Sequence, residues 1–402
     1  MWRTRTAAPI ASSLVLFVAL AVVAAACGSS APSPTPTPTG SATSPAASPS
    51  PTPRSSASAT PGQPAGSPAP AGFRAASVTF VSSDEAFVLG TAPGAETVLL
   101  RTLDRGQSWV RLAAPTGITL GRPGSSAARS VWGTRFASPS HGFIFGKGLW
   151  ETTDGGAHWG LDAAPSGSVL SLAAIDGQVL ALTSAIPSAA SATLLRRPLA
   201  GGSWTSLATV KSPGLLDPND LISTQAGTAA VLDGTSVLVT TNGGLTVHRH
   251  ATPGAAPPAT PGSVAVTSSG SLALLIVGPG AAGSTGKVVS TSADLGAHWS
   301  KAGKPSLEGD GGTLAGGSPA GLLLTSASGA SWIFRSTNGG KTWATALTYG
   351  DGGLGWGDLG FTTPTNAIVI HGPADRSGNG DGRPGQLLLT SNGGATWQAV
   401  TF

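Results

Sequence analysis

The single tyrosine of this 402-residue chain, Tyr349, stands in the stretch TYGDGGLGWGD together with Asp351, Trp356 and Asp358. A phenol close to two carboxylates is a set from which a hydrolase could draw a nucleophile and an acid/base pair. An indole beside a phenol also suits stacking on a sugar or a peptide. The bland alternative is a glycine-rich connector whose Trp356 tucks into the core. DRSGNGDGRPG sets Asp375, Asn379 and Asp381 ahead of Gly382 in the manner of a calcium loop, but it lacks the closing glutamate, which argues against a metal. Arg122, Arg129 and Arg135 with Trp132 form a cationic cluster able to hold an acidic partner, or simply a solvated loop. His248 and His250 alternate in VHRH and so share one side of a strand, a geometry open to a metal. With no third ligand nearby in sequence, two exposed strand histidines are the simpler reading. The catalytic candidates are thus Tyr349, Asp351 and Asp358, the ligand-binding candidates Trp356, Tyr349, Arg129 and Arg135, and no cofactor is expected.

Such residues need elements to hold them, and a repeated octapeptide supplies the plan. STNGGKTW at Ser336 has relatives in TLDRGQSW at Thr102, TTDGGAHW at Thr152, TTNGGLTV at Thr240, SADLGAHW at Ser292 and TSNGGATW at Thr390. An eroded copy, RPLAGGSW at Arg197, has Leu199 where the Asp or Asn belongs. The closing residues fall at 109, 159, 204, 247, 299, 343 and 397, so the intervals run only from 43 to 54 residues, which marks a repeat architecture. The chemistry is that of a hairpin turn. Asp104, Asp154, Asn242, Asp294, Asn338 and Asn392 can fold a side-chain oxygen onto backbone amides two residues on, and the glycines supply backbone angles other residues avoid. Trp109, Trp159, Trp299, Trp343 and Trp397 then anchor the next strand. These positions read as turn-holding, and His158 and His298, just before two of the tryptophans, as tolerated variants of the usual Thr.

This pattern resembles the Asp-box, or BNR, repeat of sialidase-like and sortilin-like β-propellers. GFIFGKGLWETTDGGAHW from Gly142 resembles in particular the photosystem II assembly factor (Ycf48-like) propellers, and the likeness runs from about residue 75 to the end. The resemblance implies a propeller with its boxes on the outer rim, away from a central channel where ligands bind, and a role in holding a protein partner. A sialidase reading demands an arginine triad, a tyrosine nucleophile polarised by a glutamate, and an aspartate acid/base. Here the four glutamates, Glu85, Glu96, Glu151 and Glu308, lie away from Tyr349, and the arginines, Arg249 and Arg335 among them, single out no triad.

Strands counted without the boxes agree on the repeat number. Seven apolar runs, from AFVLG at Ala86 to NAIVIHG at Asn366, precede the boxes, and seven more, from VLLRT at Val98 to QLLLT at Gln386, lead into them. The expected fold is all-β: a seven-bladed β-propeller with four-stranded blades and Asp-box turns between strands three and four. The first strand begins near Ser77 and a fourth ends the chain, so no blade is shared between the termini. Closure is expected from face packing of blades one and seven.

Bulk composition fits: 58 glycines and 32 prolines argue against helices, and 22 basic against 18 acidic residues give only +4. Arg3 and Arg5 belong to a segment expected to be removed, which leaves about +2 and argues against nucleic acid as a partner. Residues 1–27 read as a signal, with an apolar run from Leu14 to Ala26 ahead of Cys27, the only cysteine. Val23-Ala24-Ala25-Ala26-Cys27 resembles a bacterial lipobox, which implies lipidation of Cys27 and a place on the outer side of the cell membrane; the alternative is an ordinary signal cut near Cys27 or kept as an anchor. Residues 28–72 hold twelve prolines and one charge, Arg54, and read as a polyproline-type tether. At ~3.1 Å per residue it reaches on the order of 140 Å. Residues 73–402 are the propeller. The expected function is a membrane-anchored, non-catalytic binding or assembly scaffold for a protein partner, with a sialidase-like exo-glycosidase or a surface carbohydrate-binding protein as alternatives.

Overall fold

The computed structural model describes residues 66–94, 96–162, 165–185, 190–211, 222–254, 259–374 and 384–402. The chain divides into two units, Met1–Thr52 and Pro53–Phe402, and the described residues all belong to the second. Cys27 and the metal candidates Asp375, Asn379 and Asp381 lie outside the described residues.

Among the described residues every regular element is a strand. Blade one is β1 (Arg74–Phe80), β2 (Ala86–Ala92), β3 (Glu96–Thr102) and β4 (Val110–Leu112). Blade two is β6 (Ser130–Phe136), β7 (Gly142–Gly146), β8 (Leu149–Thr152) and β9 (Gly160–Asp162), with a short extra strand, β5 (Thr119–Leu120), pairing parallel to β6. Blade three is β10 (Ser168–Ile175), β11 (Gln178–Ser184), β12 (Ser191–Pro198) and β13 (Thr205–Lys211). Blade four is β14 (Ile222–Gln225), β15 (Thr228–Asp233), β16 (Ser236–Thr240) and β17 (His248–Ala251). Blade five is β18 (Thr260–Val266), β19 (Leu272–Ala281), β20 (Ser284–Ser292) and β21 (Ser300–Gly303). Blade six is β22 (Leu314–Gly316), β23 (Leu322–Ala327), β24 (Gly329–Ser336) and β25 (Ala344–Gly352). Blade seven is β26 (Trp356–Phe361), β27 (Ala367–His371), β28 (Gln386–Thr390) and β29 (Gln398–Ala399). Each sheet keeps its strands in chain order, so the fold is a seven-bladed β-propeller.

The unbroken apolar runs are explained by what covers them. Successive strand residues point to opposite faces, so a strand apolar at every position must be covered on both. Within β2, Val88 packs with Ile368, Ile370 and Leu387 of blade seven, while Phe87 and Leu89 pack with Val131, Ile144 and Trp150 of blade two. Each fully buried side chain of this size is worth about 1.5–3 kcal/mol, so the ring is held chiefly by blade faces.

Around the centre the inner strands are also stitched by side chains. The β1–β2, β6–β7, β10–β11, β18–β19 and β26–β27 registers all slip near the same depth, which bends the inner strand locally. Next to these bulges sit short polar residues that reach the next blade. Ser77 Oγ accepts from the Thr134 N–H at 3.1 Å, and Ser263 Oγ from the Leu314 N–H at 3.0 Å. In blade four, Ser223 Oγ accepts from the Val266 N–H at 2.9 Å.

Closure follows the same rules. Asp358, in the β26 bulge, accepts from the Val78 N–H at 2.5 Å and so carries the stitch from blade seven to blade one. Ala75 N–H donates to Gly385 O at 2.8 Å, and Ala374 N–H to Ala75 O at 2.9 Å. Phe402 packs edge-on against Phe73 and tilted against Trp109, at ring distances of 4.7 and 5.2 Å. The ladder also starts earlier than Phe73: Gly66 N–H bonds Arg111 O and Arg111 N–H bonds Ser67 O, each at 2.7 Å, which covers the outer edge of β4.

Candidate functional site

The seven inner strands enclose a central channel with a cavity of about 290 Å³. Its wall is polar: Thr79, Ser223, Thr224, Gln225 and Thr313 face it between apolar residues such as Leu172 and Phe361. Among the described residues lining it, Arg135 carries the one charge. Its guanidinium donates to Thr134 O at 2.8 Å and reaches Asp358 Oδ1 at 3.4 Å. Asp358 itself is buried and held at a φ of 50°, a left-handed angle that Asp tolerates better than most residues. The oxygen of Gln225 is buried without a hydrogen-bond partner, an acceptor left over at the end of β14.

Tyr349 and Asp351 lie elsewhere, on β25, the outermost strand of blade six, where it meets blade seven. The Tyr349 ring stacks on His371 with centroids 4.1 Å apart, and Trp356 tilts against the same imidazole at 5.0 Å. Trp356 donates its indole N–H to Ser326 O at 3.3 Å, and Tyr349 its hydroxyl to Gln386 Oε1 at 3.4 Å. The two aromatics are thus half-buried and angled against each other by 50°, rather than forming a flat platform. Asp351 is engaged by His371 Nε2 at 2.5 Å, by Ser331 Oγ at 2.7 Å and by the Gly353 N–H at 2.8 Å. Burial pushes its pKa up, but these hydrogen bonds and the charge of His371 outweigh it, and its carboxyl sits below the usual range. Burial raises the pKa of the Tyr349 phenol. The sequence brought Tyr349, Asp351 and Asp358 together as catalytic candidates; the fold puts the first two on an outer strand and Asp358 on an inner one.

The proposed arginine cluster does not form. Arg129 is exposed and donates to Thr116 O of its own loop at 2.9 Å, Arg122 is exposed on that loop, Arg135 faces the channel, and Trp132 is fully buried. His248 and His250 stack at 6.4 Å, and no group of three His, Cys, Asp or Glu able to hold a metal occurs among the described residues.

The octapeptide turns share one circuit. In each of six, the opening Ser or Thr hydroxyl donates to the Asp or Asn Oδ1 and accepts from the N–H of the glycine four residues on, as at Ser336 Oγ with Asn338 at 3.1 Å and Gly340 at 2.8 Å. That same Oδ1 accepts from the amide four residues on, Thr342 N–H at 2.9 Å, not two residues on as the sequence suggested. The longer span is set by the hydroxyl, which occupies the nearer amide. His158 and His298 have a role in this circuit: their Nδ1 atoms meet Asp154 and Asp294 at 2.7 and 2.6 Å, where Thr342 Oγ1 meets Asn338 Nδ2. Hydrogen bonds from the Ser108 hydroxyl and amide hold the Asp104 pKa at about 2, and the His298 amide and ring hold Asp294 lower still.

Other interacting groups went unnoticed in the sequence. Arg197, standing where the eroded copy lacks its Thr, is buried between Glu151 at 2.9 Å and Asp162 at 2.9 Å, tying blade three to blade two. Only the loss of the Thr signalled it. His371 ends an apolar strand run, and a polar residue in that place is the signal that could have drawn notice.

Fold and site define the class: a seven-bladed propeller of four-stranded antiparallel blades around a small polar channel. No family model and no curated protein matches the sequence. Among solved structures, YCF48 bound to a D1 peptide is similar at 18% identity and a TM-score of 0.52, over 82% of this chain and 94% of that one. YCF48 from Cyanidioschyzon merolae gives 16% identity and 0.50, over 82% and 97%. The GH74 enzyme of Niastella koreensis gives 13% and 0.28, over 82% and 71%, too low to carry an argument. These likenesses extend to the fold alone.

Proposed function

We propose that this chain is a lipid-anchored, extracytoplasmic scaffold whose propeller holds a segment of a protein partner at its channel and does no chemistry on it. In this reading the octapeptides are Asp-boxes of the BNR type, Cys27 carries the lipid, and residues 28–72 are the spacer. The observation that carries the binding role is the channel wall. It offers hydroxyls, an amide oxygen and one guanidinium, while Asp358, the carboxylate beside that guanidinium, is already engaged by Val78. Such a wall can grip a polypeptide by hydrogen bonds, and its described residues offer no free acid/base pair. A bound D1 peptide in a propeller of the same fold supports a peptide-like ligand class.

The test is a photo-crosslinking residue at Thr224, exposed on the channel wall, in the full chain in its own cells, with a second at the outward Lys301 as control. Covalent capture of one defined polypeptide at 224 and not at 301 is the expected result. Capture at neither, together with turnover of fluorogenic sialosides that Tyr349→Phe abolishes, would replace the scaffold with a hydrolase.

A further inference from the structure

Lys287 is an unusual residue to find in β20: it is buried to 1% exposure, and among the described residues its ammonium bonds backbone oxygens and no carboxylate. Its Nζ instead lies among five backbone carbonyl oxygens, those of Gly309 at 2.7 Å, Glu308 at 3.0, Ser306 and Leu307 at 3.3, and Thr285 at 3.5. An ammonium has three hydrogens to give. Five oxygens converging on one point are therefore more than its hydrogen bonds require, and fit the coordination of a spherical charge.

The cage has a frame of its own. Thr285 N–H bonds Gly309 O at 3.2 Å, Asp310 N–H bonds Ala327 O at 3.3 Å, and Ser326 Oγ bonds both Glu308 O, at 3.0 Å, and Asp310 O. Gly309 makes the turn at a φ of 70°, where a Cβ would come within 2.6 Å of Ser326 Oγ and 2.9 Å of Trp332. The carbonyls thus point inward because of contacts to blade six, while Leu307 and the acidic Glu308 face out. We infer that the loop 306–309 is a monovalent-cation site, and that the ammonium of Lys287 is its built-in occupant. The oxygens stand wider than the roughly 2.3–2.6 Å of calcium, and all are neutral, which favours a large single charge of the kind carbonyl rings coordinate in cation filters. Burial lowers the Lys287 pKa to about 8, against the partial restoring charge of Asp310 and Glu308, so the group is still protonated at neutral pH.

A site so built should accept a free ion when its tethered one is removed. Lys287→Ala opens the space, whereas Lys287→Met fills it with an uncharged stem. In the full chain, the Ala variant's unfolding midpoint should be higher in potassium chloride than in choline chloride of equal ionic strength and should climb with the logarithm of potassium concentration. The Met variant and the wild type should show no such climb. Folding of the Ala variant in potassium alone would be the same result in stronger form. In the wild type, whatever the variants do, the Lys287 ammonium should give a slowly exchanging ¹⁵N signal at neutral pH. No potassium effect on a folded Ala variant, an equal effect on all three proteins, or absence of the protected ammonium signal would each overturn the assignment.

Discussion

Asp358 shows how one side chain can look catalytic and serve as a fastener. Its neighbours in role are Ser77, Ser223 and Ser263, each bonding the next blade's inner-strand amide; Asp358 does so across the seam and also faces Arg135. Asp358→Ala leaves the Val78 N–H without that acceptor and the Arg135 charge without that carboxylate, and should cost on the order of 3 kcal/mol in denaturant unfolding. Asp358→Asn keeps an acceptor and tolerates the positive φ, so it should lose about 1 kcal/mol. Equal losses for the two would mean the charge, not the stitch, matters. The octapeptide acids offer a pH prediction with its own control. Asp104, Asp154 and Asp294 have folded pKa values below the ordinary 3.8, so what they contribute is present above that value and is lost as pH falls through the folded ones, about 2 for Asp104. Protection of the Ser108, His158 and His298 amides should fall between pH 4 and 2 relative to the Thr246, Thr342 and Thr396 amides, which bond asparagines that do not titrate. Uniform loss across all six, read by hydrogen exchange, would contradict it. The Asp358 pairing was not legible in sequence, because its partner across the seam lies 280 positions away, whereas each octapeptide's partner lies within its own eight residues and its turn-holding role could be read.

At the scale of the element, the turns also serve as joints between blades. The glycine just ahead of the last three residues of each turn rests on the preceding blade: a Cβ on Gly244 would meet Leu180 at 2.9 Å, on Gly296 Val237 at 3.1 Å, on Gly340 Val289 at 3.2 Å, and on Gly394 Leu323 at 2.5 Å. Gly394→Ala should therefore cost about 2–4 kcal/mol, combining overpacking with a left-handed φ of 84°. Gly94→Ala, at a φ of 85° with nothing within 4 Å, should cost only the backbone part, about 1–2 kcal/mol. Matching thermal shifts for the two would show that the joint is not close-packed. The strands were readable for a related reason. Runs such as GFIFG and AFVLG are apolar at every position because both faces are covered, a signal that needs no partner to be known. β5 and the pairing of residues 66–69 were not readable, since two-residue strands carry no periodicity and an edge pairing by backbone leaves no mark on side chains.

For the whole molecule, two consequences follow from how the chain is begun and closed. If Cys27 carries the lipid, Cys27→Ala should move the protein from the membrane to the soluble fraction with the propeller's thermal midpoint unchanged; retention in the membrane would point to an uncut signal as anchor. Among the described residues every blade is built from strands consecutive in the chain, and blades one and seven meet through faces and small fasteners, among them Asp358 to Val78, Gly385 to Ala75, Gly106 under Val400, and Phe402 against Phe73 and Trp109. Each such contact is worth little alone, and a seam held by several small contacts should be among the first places for the ring to open. Phe402→Ala removes a half-buried ring from that seam and should cost about 2 kcal/mol, less than a fully buried phenylalanine. The decisive reading is where the cost appears. Native-state hydrogen exchange should show the amides of β1 and β29 opening at a lower free energy in the variant than in the wild type, with blades three to five unmoved. Were the loss spread evenly around the ring, blade faces rather than the seam would set cooperativity, and Phe402 would be one more packing residue.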